Sequence, residues 1–347
     1  MHLDNMPDID IENNELQQAL QIIQYTRRSL FLTGKAGTGK STFLRYICAN
    51  VRKKHVVLAP TGISAINAGG STLHSFFKLP FHPLLPNDSR YTPRNIRNTL
   101  KYSSEKRKIL REVELVVIDE ISMVRADIID FIDRVLRVYS RNMREPFGGK
   151  QLLLVGDIYQ LEPVVKEDER RMLHPYSPPS FFFGARVWRE MRLVSIELHK
   201  VYRQNDPAFI SILDHIRTSD ATDTDLRTLN TRVGGTLDTA GGNLAITLST
   251  RRDTVDYINE QRLKQLPGEA VTFYGEVKGE FPDSSLPTPM ELEVKPGAQI
   301  IFIKNDMDKR WVNGTLGVVE GIDEDEGVLY IVSEDGNEHD VRRERWS

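Results

Sequence analysis

Gly34-Lys35-Ala36-Gly37-Thr38-Gly39-Lys40-Ser41, with Thr42 behind it, decides the fold class of this 347-residue chain. The run fits the pattern G-x-x-x-x-G-K-[ST]. Its glycines let backbone N–H groups curl around phosphates, Lys40 reaches the β and γ phosphates, and Ser41 offers a hydroxyl to magnesium. Ala36, Thr38 and Thr42 complete the cradle. Such a loop needs a strand before it and a helix after it. The apolar run Ser29–Thr33 precedes it, and Phe43, Leu44, Ile47 and Val51 follow at helical spacing, so a helix N-terminus points at the phosphates. A simple glycine turn is the alternative, and the strand–loop–helix context counts against it.

Working outward, short apolar runs alternate with amphipathic stretches, the mark of a parallel sheet flanked by helices. Expected strands are Ser29–Thr33, His55–Ala59, Glu114–Ile118 and Gln151–Val155. Each ends in polar or glycine residues, and α/β proteins place their chemistry at strand carboxyl ends. Leu115-Val116-Val117-Ile118 ends in Asp119 and Glu120. An Asp there can anchor magnesium, and the adjacent Glu can orient and deprotonate an attacking water. Leu152-Leu153-Leu154-Val155-Gly156-Asp157 repeats the design, with Gln160 three residues on. Asp157 and Gln160 could sense a γ-phosphate, and a loop cap is an equal reading of those residues alone.

Leu193–Leu198 and Leu244–Leu248 read as strands of a second unit. The proline-rich aromatic stretch Phe76–Pro86 breaks the alternation and reads as an insert rather than a core element. From Lys295 onward, the runs Gln299–Ile303, Leu316–Val319 and Val328–Val332 are separated by Gly, Asn and Asp turns, suggesting a small antiparallel barrel.

Composition excludes other classes. No apolar run approaches the roughly 18 residues of a membrane span. One cysteine, Cys48, allows neither an internal disulfide nor a multi-cysteine zinc site. The acidic opening MHLDNMPDIDIENNE reads as neither a secretory signal nor a transit peptide, which favours a cytoplasmic setting. Net charge is −3, so bulk charge does not coat nucleic acid; any contact needs a local groove. Residues 90–111 hold eight Lys or Arg against Glu105, a candidate groove or simply a solvated helix face.

The motifs together resemble superfamily-1 helicases, and within them the petite-integration-frequency (PIF) family of 5′-to-3′ DNA helicases, superfamily 1B, bacterial type. Ala59-Pro60-Thr61-Gly62-Ile63-Ser64-Ala65, then Gly70-x-Thr72-x-His74-Ser75-Phe76-Phe77, resembles that family's first DNA-contacting motif. Asp119-Glu120-Ile121-Ser122-Met123 resembles its magnesium motif, and Gly156-Asp157-x-x-Gln160-Leu161-x-Pro163 its sensor. Residues 127–150 resemble its signature helix and loop. Leu198-x-x-Val201-Tyr202-Arg203-Gln204 resembles the motif whose arginine points across the domain cleft at the γ-phosphate. Gly297-Ala298-Gln299 and Asn313-Gly314-x-x-Gly317-x-Val319 resemble the segment flanking its barrel.

The resemblance implies tandem RecA-like domains: 1–188 binding ATP, with a wedge insert at 71–90; 189–294, incomplete; and 295–347, a Src-homology-3-like barrel. It assigns Lys40, Ser41, Asp119, Glu120, Gln160 and Arg203 to ATP and magnesium. Gln17, with Gln18 as second choice, would read adenine. Pro60, Thr61, Gly62, His74, Ser75 and Phe76 would line a single-strand path, with Phe76 stacking on a base. The implied partners are single-stranded DNA and forked or tailed duplexes, bound by a monomer associated with the nucleoid. The family also carries two motifs beyond the barrel that these residues do not supply, so impaired hydrolysis and unwinding are expected of this chain. An RNA-directed helicase and a nucleotide-dependent binding module remain alternatives; a P-loop kinase or transport ATPase would leave Tyr202-Arg203-Gln204 without purpose.

Overall fold

The computed structural model describes residues 9–10, 12–80, 82–176, 180–202, 206–235, 244–278, 286, 288–304, 306, 308, 310–311 and 314–345. They form two compact units, Met1–Asn230 and Thr231–Ser347.

The first unit is a six-stranded sheet flanked by helices. In chain order its elements include α1 (Asn14–Tyr25), β1 (Leu30–Gly34), α2 (Lys40–Asn50), β2 (His55–Ala59), α3 (Gly62–Asn67), β3 (Ser71–Thr72) and α4 (Leu73–Phe77). Then come α5 (Ile96–Leu100), α6 (Ser104–Glu112), β4 (Leu115–Ile118), α7 (Ala126–Ser140), β5 (Gln151–Val155), α8 (Glu167–Leu173), β6 (Val194–Leu198), α9 (Pro207–Arg217) and α10 (Asp223–Asn230). The strand order is β3-β2-β4-β5-β1-β6. Every pairing is parallel. All carboxyl ends therefore lie along one edge, and the loops after β1, β4 and β5 emerge side by side.

Both faces of this sheet are covered, as parallel sheets require. The two-residue period of a strand sorts its side chains between two cores. Leu30, Leu32, Leu115, Val117, Leu153 and Val155 pack with Leu16, Ala19 and Ile23 of α1 and Phe43, Leu44 and Ile47 of α2. Their neighbours Phe31, Val116, Ile118, Leu152 and Leu154 pack on the opposite face with Phe131, Ile132, Val135 and Leu136 of α7. Fully burying each such Leu stabilises the fold by about 1.5–3 kcal/mol relative to leaving it exposed. The loops thus stand on a rigid base.

Four expectations change. Val194–Leu198 belongs to the first sheet, pairing with β1 from Leu30↔Val194 to Gly34↔Leu198. An edge strand, half-buried like this one, carries no sequence mark of which sheet it joins. The sheet consequently runs past residue 188. Leu244–Leu248 forms no strand, and Leu248 is 85% exposed, because an apolar run needs a pairing partner as well as composition. The stretch Phe76–Pro86 is not an excursion from the core: Phe76, Phe77, Leu79 and Leu84 are buried in the cluster shared with α7. Just before it, Ser71 and Thr72 pair with Leu58 and Ala59 of β2.

The second unit holds α11 (Arg252–Gln265), an antiparallel ribbon of β7 (Val271–Tyr274) and β8 (Glu291–Val294), and β9 (Gln299–Ile301), β10 (Leu316–Asp323), β11 (Val328–Ser333) and β12 (Glu338–Val341). The last four make an antiparallel sheet in the order β12-β11-β10-β9, with an irregularity between Val319 and Gly321. Val294, Ala298, Phe302, Trp311, Val319 and Ile331 form its core.

Candidate nucleotide and nucleic-acid site

The loop from Gly34 to Gly39 joins β1 to α2. Gly34 sits at φ +141°, and a Cβ there would stand 2.5 Å from the Leu198 carbonyl on β6, so no side chain fits. Gly39, at φ +91°, is the N-cap of α2. Thr38 is fully buried, and its hydroxyl donates to the Lys35 carbonyl at 2.8 Å, holding the loop curled. Lys40 and Ser41 open α2, whose first-turn N–H groups and dipole favour an anion. The Lys40 ammonium donates to the carbonyls of Gly34 and of Lys35, the latter at 2.9 Å. Burial pushes its pKa down, against the pull of Asp157, Glu120 and Asp119.

Asp119 and Glu120 follow β4 on the same edge. Asp119 accepts the Glu120 N–H at 3.0 Å. Glu120 takes the left-handed backbone region, φ 49° and ψ 44°, uncommon outside glycine and a form of strain that clusters at functional sites. Burial raises both carboxyl pKa values, and the Asp119 charge raises that of Glu120 further. Asp157, past β5, is buried. Gln160 donates its amide to Asp157 Oδ2 at 3.2 Å, and Gln160 itself is exposed. The structure therefore brings Gly34–Thr42, Asp119, Glu120 and Gln160 to one edge of one sheet.

Two groups with no assigned role in the sequence stand here. The Tyr202 N–H donates to the Gly37 carbonyl at 2.8 Å, and its ring lies against Gly39. Its hydroxyl donates to Asp10 at 2.7 Å and accepts the Asn13 amide at 3.1 Å, tying the start of α1 to the phosphate loop. Arg217, at the end of α9, grips Asp157 through Nε at 2.8 Å and a terminal nitrogen at 3.0 Å. A tyrosine beside an arginine in a recognisable motif was a signal for the first; a lone arginine in an amphipathic helix gave none for the second. Arg203 lies outside the described residues. Gln17 and Gln18 are both exposed on α1, and Gln18 borders a depression lined by Gln21, Ile22, Tyr25 and Thr26.

The expected nucleic-acid residues follow β2 and β3 along that edge. Pro60 and Thr61 are half-buried, and Thr61 caps α3 by accepting the Ser64 N–H at 3.2 Å. Gly62 faces open space, and Ser75 is exposed. His74 is half-buried, and burial followed by the Arg125 charge lowers its pKa. Phe76 departs from expectation. It is 8% exposed, meets Phe77 edge-on at 4.9 Å, and carries the Lys106 ammonium 3.6 Å above its ring. A ring covered on those sides is core, not a free stacking platform. Parts of the basic stretch are also engaged within the protein: Arg97 donates to the Val138 carbonyl, and Arg90 pairs with Asp88. Among the described residues, no group of three His, Cys, Asp or Glu could hold a metal.

Residues 11–225 match the family model for PIF1-like helicases. The ATP-dependent DNA helicase PIF1 of Rattus norvegicus is 34% identical over 351 residues, covering 99% of this chain and 52% of the rat protein. The chain thus spans about half the length of that curated relative. The Pif1 helicase from Bacteroides, in complex with ADP-AlF3 and single-stranded DNA, superposes with a TM-score of 0.78 at 37% identity, over 98% of this chain and 76% of that one. A Pif1 helicase solved for DNA unwinding at forked duplex DNA, by two coordinating copies, gives 0.77 at 38%, over 96% and 76%.

Proposed function

The chain belongs to the PIF1-like helicase family, and from that premise we propose that it binds and hydrolyses ATP with magnesium to move along single-stranded DNA and unwind duplexes. One observation carries the reading: the loops after β1, β4 and β5 deliver Lys40, the Asp119–Glu120 pair and Gln160 to the same edge of one parallel sheet.

Lys40 meets the β and γ phosphates, whose charge the loop amides alone cannot balance. Glu120 accepts the proton of the attacking water, and Gln160 orients that water or senses the γ-phosphate. Magnesium fits the donors present. Ser41 offers a hydroxyl at the head of α2, and Asp119 is a carboxylate that burial penalises until a cation shares its charge. A divalent ion held by one carboxylate, one hydroxyl and substrate phosphates is the usual magnesium arrangement, and it would neutralise phosphate charge. Arg203 adds a guanidinium to the γ-phosphate, and Gln17 or Gln18 reads adenine. Single-stranded DNA passes over Pro60, Thr61, Gly62, His74 and Ser75, gripped through phosphates and backbone rather than by a stacked Phe76.

The finer assignment is to superfamily 1B, of bacterial type, with 5′-to-3′ movement. It includes a Src-homology-3-like barrel from 295, and a monomer acting in the cytoplasm on nucleoid DNA. The DNA-bound Bacteroides relative supports DNA over RNA as the track. The test is ATP-dependent strand separation on duplexes carrying a 5′ or a 3′ single-stranded tail. Separation confined to the 5′-tailed substrate is expected; equal action on both, or ATP-independent binding alone, contradicts the proposal.

A further inference from the structure

Asp157 is a fully buried carboxylate at the end of β5, beside the phosphate loop. A buried anion needs a cation with good geometry, and two are at hand. Arg217 takes it in a two-point fork, Nε to Oδ2 at 2.8 Å and a terminal nitrogen to Oδ1 at 3.0 Å, with the guanidinium 4.5 Å from the centre of the Tyr159 ring. Lys40 stays on the carbonyls of Gly34 and Lys35, although Asp157 is the acid that acts on it most strongly. The same end of α9 is tied to the phosphate loop a second time, because Asp214 accepts from Lys35 at 3.0 Å and lies 3.5 Å from Arg217.

We infer that Arg217 is a positioning residue for ATP: by occupying Asp157 in a fork that lysine cannot imitate, it keeps Lys40 off that carboxylate and available to the β and γ phosphates. The planar five-donor guanidinium suits a bidentate carboxylate, whereas an ammonium makes a point contact. Remove Arg217, and the phosphate-binding lysine remains as a cation on which the Asp157 charge acts. This rests on reading the loop as an ATP site.

The experiment measures affinity for a fluorescent ATP analogue in the full chain, with folding of each variant checked by thermal melting. Arg217→Ala should weaken binding about tenfold or more, the size expected for directly coupled groups. Asp157→Asn placed in the Arg217→Ala background should recover most of that loss, since the unpaired carboxylate that competes for Lys40 is then gone. In a Lys40→Ala background, Arg217→Ala should cost nothing further, because its effect runs through Lys40. Should Arg217→Ala fail to fold, Arg217→Lys carries the same two comparisons with a smaller loss. Wild-type affinity in the Arg217 variants, or a loss that simply adds to that of Lys40→Ala, overturns the inference. Wild-type protein that binds no ATP would instead sink the nucleotide reading beneath it.

Discussion

Glu120 and Asp119 are adjacent acids to which the proposed function gives different work, and the division can be tested one atom at a time. Glu120→Gln keeps the shape of the side chain but cannot accept the water's proton. ATP affinity should therefore hold while kcat falls about 10²–10⁴-fold. Loss of affinity with kcat preserved would make Glu120 a metal ligand instead. Asp157 supports a prediction in pH. Burial is the largest influence and raises its pKa, but the Arg217 hydrogen bond and charge, the Tyr159 N–H and the Gln160 amide together outweigh it and hold the carboxyl below the ordinary aspartate range. A carboxyl lowered on folding contributes stability above its unfolded pKa and loses it as pH falls through the folded value. Breaking such a buried pair costs about 3–5 kcal/mol. Urea unfolding should show Asp157→Asn well below wild type near pH 7, with the gap narrowing as pH drops through and below the normal aspartate range. A gap independent of pH would mean that the charge of Asp157 is not what Arg217 holds. The placement of Lys40, Ser41, Asp119, Glu120 and Gln160 just past strand ends was legible in the sequence because each follows an apolar run. Arg217 was not, because its role exists only once α9 folds back to the end of β5.

At the scale of elements, the central strands were legible within a residue or so, since continuous apolar runs such as Leu115–Ile118 are what a doubly covered sheet demands. Edges were harder. Ser71–Thr72 is too short to carry a period, and Val194–Leu198 alternates as any half-buried strand does. The segment after β3 shows why composition misled. Prolines and aromatics suggested a protrusion, yet Thr72 caps α4 by accepting the Ser75 N–H, and Leu73, Phe76 and Phe77 turn inward. Tyr102 then donates to the Phe77 carbonyl at 2.6 Å, and Leu84 donates its N–H to Asp127 at 2.9 Å. Phe76→Ala should accordingly lower unfolding stability by about 3–5 kcal/mol, the range for a buried aromatic, with the cation contact of Lys106 lost as well. A variant as stable as wild type that has merely lost DNA affinity would restore Phe76 as a stacking residue.

For the whole molecule, the motifs that follow β1, β2, β4 and β5 were legible in order because each occupies its own strand end, and an ordered run survives errors in any single boundary. The division of the chain was not. Composition changes near Lys295, whereas the compact units part after Asn230, at a place defined by which contacts are made rather than by what the residues are. What the first unit's edge does when nucleotide and DNA meet it is directly measurable. The direct measurement is steady-state ATP turnover by wild type and Lys40→Ala, each with and without a saturating single-stranded oligonucleotide. Wild-type turnover should rise when DNA is added, and Lys40→Ala should remain folded yet lose about 10²-fold or more of that rate. Turnover indifferent to DNA, or undiminished without Lys40, would contradict an ATP-driven DNA motor built on this loop.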